Sequence, residues 1–407
     1  MPKEFWITIA LAVLVFAGLH VEWLRHRRAL ARIPVRIHVN GSRGKSSVTR
    51  LIAAMLREHG IATVAKTTGT SARLILPDGS ERPVFRDGRP TIRELAWAMR
   101  RASREGAGAV VFECMAVDPE LQWVAENLMV KPTVTVVTNA RLDHTDVQGT
   151  DPRVIAAGFP VRWGGTLATA DPVVAAVHEE RVRATGGSVH LADPAAVGPT
   201  ELARMSYLEH PANVALALEV GRLLGIPRDE ALLGLAAADP DPGAAAVLDV
   251  ADPRGPWVLV NLFAANDSQS TFLALDTAAA MFDLPPHPVV LFVSRGDRTA
   301  RSAEFAAALA ANQDWFRHLV VWGERTRAMA RRAVRRGVPA GRVTDAGARA
   351  PEALTDVLLD RMEGGPRVVV GMGNIIGPGQ RWLSFLAERL DAADPPPPVG
   401  EREPVGA

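Results

Sequence analysis

The sequence predicts an α/β protein with two blocks built on parallel sheets, preceded by a single transmembrane helix. Three observations predict it. Residues 5–19, FWITIALAVLVFAGL, carry no charge. Residues 35–50, VRIHVNGSRGKSSVTR, join a β-branched run to a helix-period segment through a Gly-rich loop. After that, apolar runs of strand length alternate with helical stretches. This is the pattern of βαβ units whose parallel strands are buried on both faces.

The N-terminal apolar run is near the lower length limit for a membrane span. Trp6 and Trp23 flank it, and Arg25, His26, Arg27 and Arg28 follow directly. Interfacial aromatics and the positive-inside rule then place the rest of the chain in the cytoplasm. Ala29-Leu30-Ala31 resembles an export cleavage site, but it lies beyond the basic cluster, the wrong order for a secretory signal. A buried helix of a soluble domain is the remaining alternative.

VRIHVN (35–40) reads as a strand, and residues 45–59 as a helix with apolar Val48, Leu51, Ile52, Met55 and Leu56. ATVAKTTG (62–69) is a second strand entering a Thr/Gly turn, and 76–90 is a turn-rich hairpin or surface loop. A helix follows over 91–105, with Thr91 as cap and Glu94 three residues on. AVVFECM (109–115) and TVTVVTN (133–139) are buried parallel strands. An apolar helix (212–224) leads to the turn signal PDPG at 240–243. A second block then has strands at 257–263, 289–294, 318–323 and 367–373. The Pro-rich, charged tail is expected to be disordered. The chain therefore divides into an anchor (1–30), a central block (31–240), a C-terminal α/β block (241–390) and a tail (391–407).

With 407 residues, 48% hydrophobic and 22% charged, the chain can build ordinary cores. A net charge of +1 gives no field for nucleic acid, so none is expected as a partner. The single cysteine, Cys114, excludes an internal disulfide framework and fits a reducing cytosol. Lysine occurs only at 3, 45, 66 and 131.

The loop Gly41, Ser42, Arg43, Gly44, Lys45, Ser46, Ser47 has the chemistry of a nucleotide-phosphate site. Glycines let backbone N–H groups close on phosphate oxygens, and the helix N-terminus adds partial positive charge. Lys45 would reach the β/γ-phosphates and the Ser46 hydroxyl would ligate Mg²⁺. The spacing G-x-x-G-K-S is not the standard P-loop, since Val39 stands where that pattern needs Gly. In a doubly wound sheet ligands gather beyond the carboxyl ends of the strands. There the run 109–113 ends in Glu113, and the run 133–139 ends in Asn139, followed by Asp143, His144 and Asp146. A strand-end surface charge and a solvated turn are the bland alternatives.

These residues carry a resemblance. V-N-G-S-R-G-K-S-S, K-T-T-G-T-S-A-R (66–73), E-C-M-A-V (113–117) and T-N-A-R-L-D-H-T-D (138–146) resemble the Mur ligase superfamily, and within it the poly-γ-glutamate synthase (capsule ligase) subunit. So do Asn213, PDPG, N-x-F-x-A-N-D-x-x-S-T (261–271), R-x-D-R (295–298) and G-x-G-N-I (371–375), over roughly residues 33–385. The resemblance implies a Mur-ligase-like central ATPase domain with a parallel sheet and a smaller C-terminal Rossmann-like domain. It also implies a ligase that phosphorylates a carboxylate with ATP and Mg²⁺ and lets an amine attack the acyl phosphate. Glu113 and His144 would be metal ligands by correspondence, and Lys45, Lys66 and His144 the catalytic set. Lys66 and Arg73 would hold the acyl phosphate or substrate carboxylates. Asn213 would contact adenine, and Asn266 and Asp267 would approach ATP. Arg295, Arg298 and Asn374 would bind the incoming amino acid, although an Arg295–Asp297 ion pair explains that motif nearly as well.

Three departures stand out. The phosphate loop comes too early for a UDP-sugar-binding domain to precede it, Ala244–Ala246 replace an Arg common after the linker, and residues 147–407 contain no lysine to be carbamylated for a second metal. The expectation is a single-pass cell-membrane ligase with cytoplasmic catalytic domains. It would polymerise glutamate through its γ-carboxylate, acting on the growing chain alongside small membrane-protein subunits. The rivals are a ligase of the same fold for another amino acid or a folate-type substrate, and an ATPase that energises export or assembly.

Overall fold

The computed structural model describes residues 3–68, 72–86, 90–143, 145–205, 207–240, 244–263, 265 and 267–390. They form two compact units. The first comprises Met1–Gly198 and Pro211–Asp239, the second Pro199–His210 and Pro240–Ala407. Pro199–His210 belongs with the second because Leu208 packs into that core and its N–H donates to Ala245 O at 2.9 Å.

The first unit opens with helix α1 (Lys3–Arg32), which is long and apolar enough to cross a membrane. It does not stop at the basic cluster. Its last turns bury Ala29 and Leu30, which join Ile33 in a core with Leu95, Ala98, Met99 and Ala102.

Eight strands follow: β1 (Val35–Asn40), β2 (Thr63–Lys66), β3 (Arg73–Ile75), β4 (Glu81–Pro83), β5 (Ala109–Glu113), β6 (Val134–Val137), β7 (Thr166–Thr169) and β8 (Ser188–Leu191). Their order is β4-β3-β2-β5-β1-β6-β7-β8, parallel except for the antiparallel β2–β3 and β3–β4 pairs. β1 thus lies between β5 and β6, with Val39 opposite Glu113 and Asn40 opposite Val137. Helix α2 (Lys45–Glu58) buries Val48, Leu51, Ile52, Met55 and Leu56, the apolar positions read from the sequence. Helix α3 (Arg93–Arg104) starts two residues later than expected; the Thr91 hydroxyl accepts from Arg93 N at 3.1 Å, and Thr91 N donates to Glu94 Oε1 at 3.4 Å. Asp-Pro pairs open helix α4 (Pro119–Val124) and the helices Pro152–Gly158 and Pro172–Ala184, where Asp118, Asp151 and Asp171 cap first-turn N–H groups.

The second unit holds β9 (Ala246–Val250), β10 (Trp257–Asn261), β11 (Val289–Ser294), β12 (His318–Gly323), β13 (Val343–Gly347) and β14 (Val368–Gly373), in the order β13-β12-β11-β14-β10-β9. Only β9 is antiparallel to its neighbour. Alternate residues of β11 enter opposite cores: Val290 and Phe292 on one face, Val289, Leu291 and Val293 on the other. This two-sided burial explains the unbroken apolar runs. The strands without such runs, β7, β8, β9 and β13, escaped the sequence reading. β8, β9 and β13 are edge strands and only partly buried.

Beneath the phosphate loop, His38 of β1 is fully buried, with Nδ1 2.6 Å from Glu126 Oε2. Thr135 Oγ1 donates to the other Glu126 oxygen. Glu126 lies in a π-helical turn, Ala125–Val130. Burial alone would lower the His38 pKa, but Cys114 and Glu126 outweigh it and raise it from its ordinary 6.5 to about 10. The folded state therefore holds a proton that the unfolded chain releases above pH 6.5. The stabilisation is complete below that pH and is lost as pH rises through 10. Urea denaturation between pH 7 and pH 10 should show stability falling by up to about 1.4 kcal/mol per pH unit from this group. Glu126→Gln should flatten that slope; an unchanged slope would show that His38 is neutral in the folded protein.

Candidate active site

The site is built where β1 leaves the sheet. Asn40 ends the strand: its Oδ1 accepts from Gly41 N at 2.9 Å, and its Nδ2 donates to Gln122 Oε1 at 3.3 Å. Gly41 has φ +121°, and a Cβ there would lie 2.2 Å from Thr138 Oγ1 and 2.8 Å from Thr138 N. Gly44 has φ +80° and forms the N-cap of α2. A Cβ on Gly44 would meet the Asn213 amide at 2.8 Å. Only glycine fits either place. Gly44 supplies no capping side chain, which leaves the first-turn N–H groups at Lys45, Ser46 and Ser47 open to an anion.

The segment after β6 holds this loop in shape. Ser42 N donates to Asn139 O at 2.9 Å, and Ser42 Oγ to Arg141 O at 2.7 Å. The Asn139 side chain accepts from Arg43 N at 3.2 Å and donates to Arg43 O at 3.0 Å. Arg43 Nη2 lies 3.2 Å from Asp143 Oδ1. Asn139 and Asp143, read from the sequence as part of a ligand cluster, thus brace the phosphate loop. His144 lies outside the described residues, and the side chain of Asp146 is not described.

Glu113, at the end of β5, is 3% exposed. Its Oε2 accepts from Ser46 Oγ at 2.9 Å and from Thr68 N at 2.6 Å. A hydroxyl and a carboxylate in contact at the foot of an anion site are hard oxygen donors, a set that fits Mg²⁺. Among the described residues no group of three or more His, Cys, Asp or Glu is placed to hold a metal. Lys45 Nζ donates to Gly41 O at 2.7 Å and Ser42 O at 3.1 Å, so the ammonium rests on the loop itself.

Lys66 lies opposite Phe112, one residue short of Glu113, with its side chain fully buried. Its ammonium is 3.0 Å from Glu94 Oε2, an ion pair without hydrogen-bond alignment. Arg86 clamps the same carboxylate at 2.8 and 3.1 Å. Burial lowers the Lys66 pKa, with Glu94 opposing it. Burial also pushes the Glu94 pKa up, and Arg86 and Lys66 overcome that and bring it below the usual range. Arg73 opens β3, its Nε 3.9 Å from Glu81 Oε2, a carboxylate also held by Arg50. Residues 69–71 of the K-T-T-G-T-S-A-R motif lie outside the described residues.

In the second unit Arg295 forms the ion pair foreseen as its alternative, meeting Asp297 at 3.1 and 2.8 Å. Arg298 is half exposed, with Nε 3.9 Å from Asp297. Asn374 is buried; its Nδ2 donates to Val293 O at 3.0 Å and its Oδ1 accepts from Arg301 Nη1 at 2.9 Å. Asp267 caps the helix Ser268–Phe282, accepting from Ser270 N at 2.7 Å. Asn266 and residues 241–243 lie outside the described residues. Sequence reasoning missed Thr68, Gln122, Arg301 and Glu324, the last accepting from Gly296 N at 2.8 Å. For Arg301 the only signal was its place three residues past R-x-D-R.

Residues 39–159 match the Mur ligase middle domain, and residues 247–389 match the poly-gamma-glutamate synthase CapB C-terminal domain. The chain is 33% identical over 386 residues to PGA synthase CapB of Bacillus subtilis (strain 168), covering 94% of this chain and 97% of that one. The chain belongs to the poly-gamma-glutamate synthase CapB family. It is also 36% identical over 307 residues to the capsule biosynthesis protein CapB of Bacillus anthracis, covering 74% of this chain and 66% of that one. Among solved structures, Mycobacterium tuberculosis folylpolyglutamate synthase complexed with ADP and AMPPCP aligns at TM-score 0.62 and 19% identity, over 93% of this chain and 98% of that one. MurF from Acinetobacter baumannii aligns at 0.60 and 14%, over 91% and 79%. The fold is that of the Mur and folylpolyglutamate ligases, and as a CapB-family member the chain is an ATP-dependent ligase.

Gly41→Ala should cost at least about 1–3 kcal/mol of local packing, since the new methyl meets backbone at Thr138 N. Nucleotide titration should show roughly tenfold weaker binding or worse, a factor of ten being about 1.4 kcal/mol. Wild-type affinity in this variant would mean that the loop does not hold the phosphates.

Proposed function

We propose that this CapB-family ligase joins glutamate units through the γ-carboxylate, using ATP to form an acyl phosphate that the next amine attacks. The contact between Ser46 and Glu113 at the foot of the Gly41–Gly44 loop carries this reading. The loop and the first turn of α2 receive the phosphates of ATP through backbone N–H groups. Phosphoryl transfer needs positioning and charge neutralisation more than covalent help. Lys45 supplies a cation that swings from the Gly41 and Ser42 carbonyls onto the transferring phosphoryl oxygens. Ser46 and Glu113 would hold Mg²⁺, which when bound neutralises phosphate charge.

Lys66 lies deep enough that its charge acts in a low-dielectric setting. Together with Arg73 it steadies the carboxylate that becomes the acyl phosphate. Arg295, Arg298 and Asn374 are assigned to the incoming glutamate, and Asn213, set against Gly44, to the nucleotide. The amine then displaces phosphate, giving an amide, ADP and inorganic phosphate. α1 anchors the enzyme in the cell membrane as a single pass with Arg25, Arg27 and Arg28 on the cytoplasmic side. The growing chain would pass to small membrane-protein subunits of the same synthase.

ADP release by the full-length enzyme should require an amino acid and be greatest with glutamate; amino-acid-independent turnover would favour an assembly ATPase. Lys45→Ala should lower turnover by about a hundred- to a thousandfold, the usual loss of one preorganised charge-stabilising donor. Its denaturation curve should be unchanged, since Lys45 contacts only loop carbonyls. Glu113→Gln should raise the Mg²⁺ needed for half-maximal ADP release.

A further inference from the structure

Two hollows of the first unit are lined in part by the C-terminal half of α1, and both are basic. One, of about 420 Å³, is lined by Glu22 and Arg25 of α1 and by Trp97, Arg100, Arg101 and Arg104 of α3. The other, of about 290 Å³, is lined by Arg27, Leu30, Ala31, Arg36, Lys131 and Arg162. The whole chain has a net charge of only +1, so this cationic density is local. We propose that the hollow between α1 and α3 binds the phosphate headgroup of an anionic phospholipid, so that the ATP-binding unit is seated on the bilayer surface and not merely tethered to it. The proposal rests on reading α1 as membrane-spanning.

Charge within the hollow is unbalanced. Arg100 Nη1 lies 3.4 Å from Glu22 Oε1, and Arg101 pairs with Glu105 at 2.5 Å. Among the described residues Arg25 and Arg104 have no carboxylate partner. Two spare guanidinium groups beside an indole suit a phosphodiester: Arg binds phosphate oxygens in a bidentate fork, and Trp favours the headgroup level.

The height is set by geometry. Residues 5–21 lie between Glu4 and Glu22 with no Asp, Glu, Lys or Arg among them, His20 being their one titratable side chain. At ~1.5 Å per residue they span about 25 Å, short of the ~30 Å hydrocarbon core. A short span draws the flanking residues, and whatever is packed on them, into the headgroup layer. α1 continues as one helix into the core of the first unit, where Ala29, Leu30 and Ile33 pack with α3 residues, so α3 is held at that level. Trp23 lies there too, with the Arg27 guanidinium 4.6 Å from its ring centroid. Trp97, 43% exposed, also faces solvent from α3. A polyanionic product is the other candidate occupant for guanidinium groups. It is disfavoured because the hollow also takes in Gly18, a residue of the apolar span.

The test uses full-length wild type and the Arg25→Gln/Arg104→Gln double variant in nanodiscs of phosphatidylcholine alone or with phosphatidylglycerol. Phosphatidylglycerol retained on the protein is measured after detergent release, and backbone hydrogen exchange is followed over 97–104. Wild type should retain phosphatidylglycerol over phosphatidylcholine and gain protection there. The variant should bind it about thirtyfold less tightly, at roughly fivefold per cationic side chain, while keeping its ATP affinity. Equal retention of the two lipids, or retention untouched by the double variant, overturns the proposal. Protection produced in neutral discs by added poly-γ-glutamate, and not by phosphatidylglycerol, overturns it in favour of a product path. Recovery of wild type in phosphatidylcholine discs tests the anchor separately: failure there removes the membrane-spanning reading, whereas recovery without lipid preference removes only this inference.

Discussion

The structure of the first unit depends on one constraint, the placing of β1 between β5 and β6 with all three strands parallel. Parallel pairing brings the carboxyl ends of neighbouring strands to one edge, where an open α/β sheet leaves a crevice. Here that register puts Glu113 beside Val39 and the start of the 138–143 segment beside Asn40. The phosphate loop therefore emerges with a carboxylate on one side and a brace of polar backbone contacts on the other. Neither flank is near the loop in sequence.

The brace and the loop depend on each other. Gly41 can approach Thr138 closely only because it lacks a Cβ, and that approach lets Asn139 bond both the N–H and the carbonyl of Arg43. Below them, the buried His38–Glu126 pair ties β1 to the π-helical turn, and Thr135 of β6 binds the same carboxylate. A π-turn amid α-helix is a local departure often found near functional sites. Burying a charged pair is stabilising only when its remaining polar atoms are met, and Thr135 meets one of them.

The same economy of position applies to α1. Its apolar half would be a liability on a soluble surface, where contiguous exposed apolar area is rare. Its C-terminal turns bury His26, Ala29 and Leu30 against the first unit. Under the proposed anchoring, a single uninterrupted helix serving both environments would couple the height of the ATP-binding unit to the membrane more firmly than a flexible linker could.

The sequence by itself determined the fold class, because buried parallel strands leave unbroken apolar runs and α2 leaves a helical period. It also marked the loop, since Gly41, Gly44, Lys45 and Ser46 are adjacent in the chain and their chemistry is local. The strands β8, β9 and β13 were hidden because an edge strand needs no continuous apolar run. Tertiary structure alone decided that Glu113 touches Ser46, that Asn139 and Asp143 brace the loop, and that Lys66 shares Glu94 with Arg86. It decided too that Asn374 meets Arg301 and that Asp267 caps a helix. These partnerships join residues from different elements or depend on how a helix begins. Sequence pattern records which face a residue turns to the core, whereas the distance between two polar atoms from separate strands exists only once the sheet has paired.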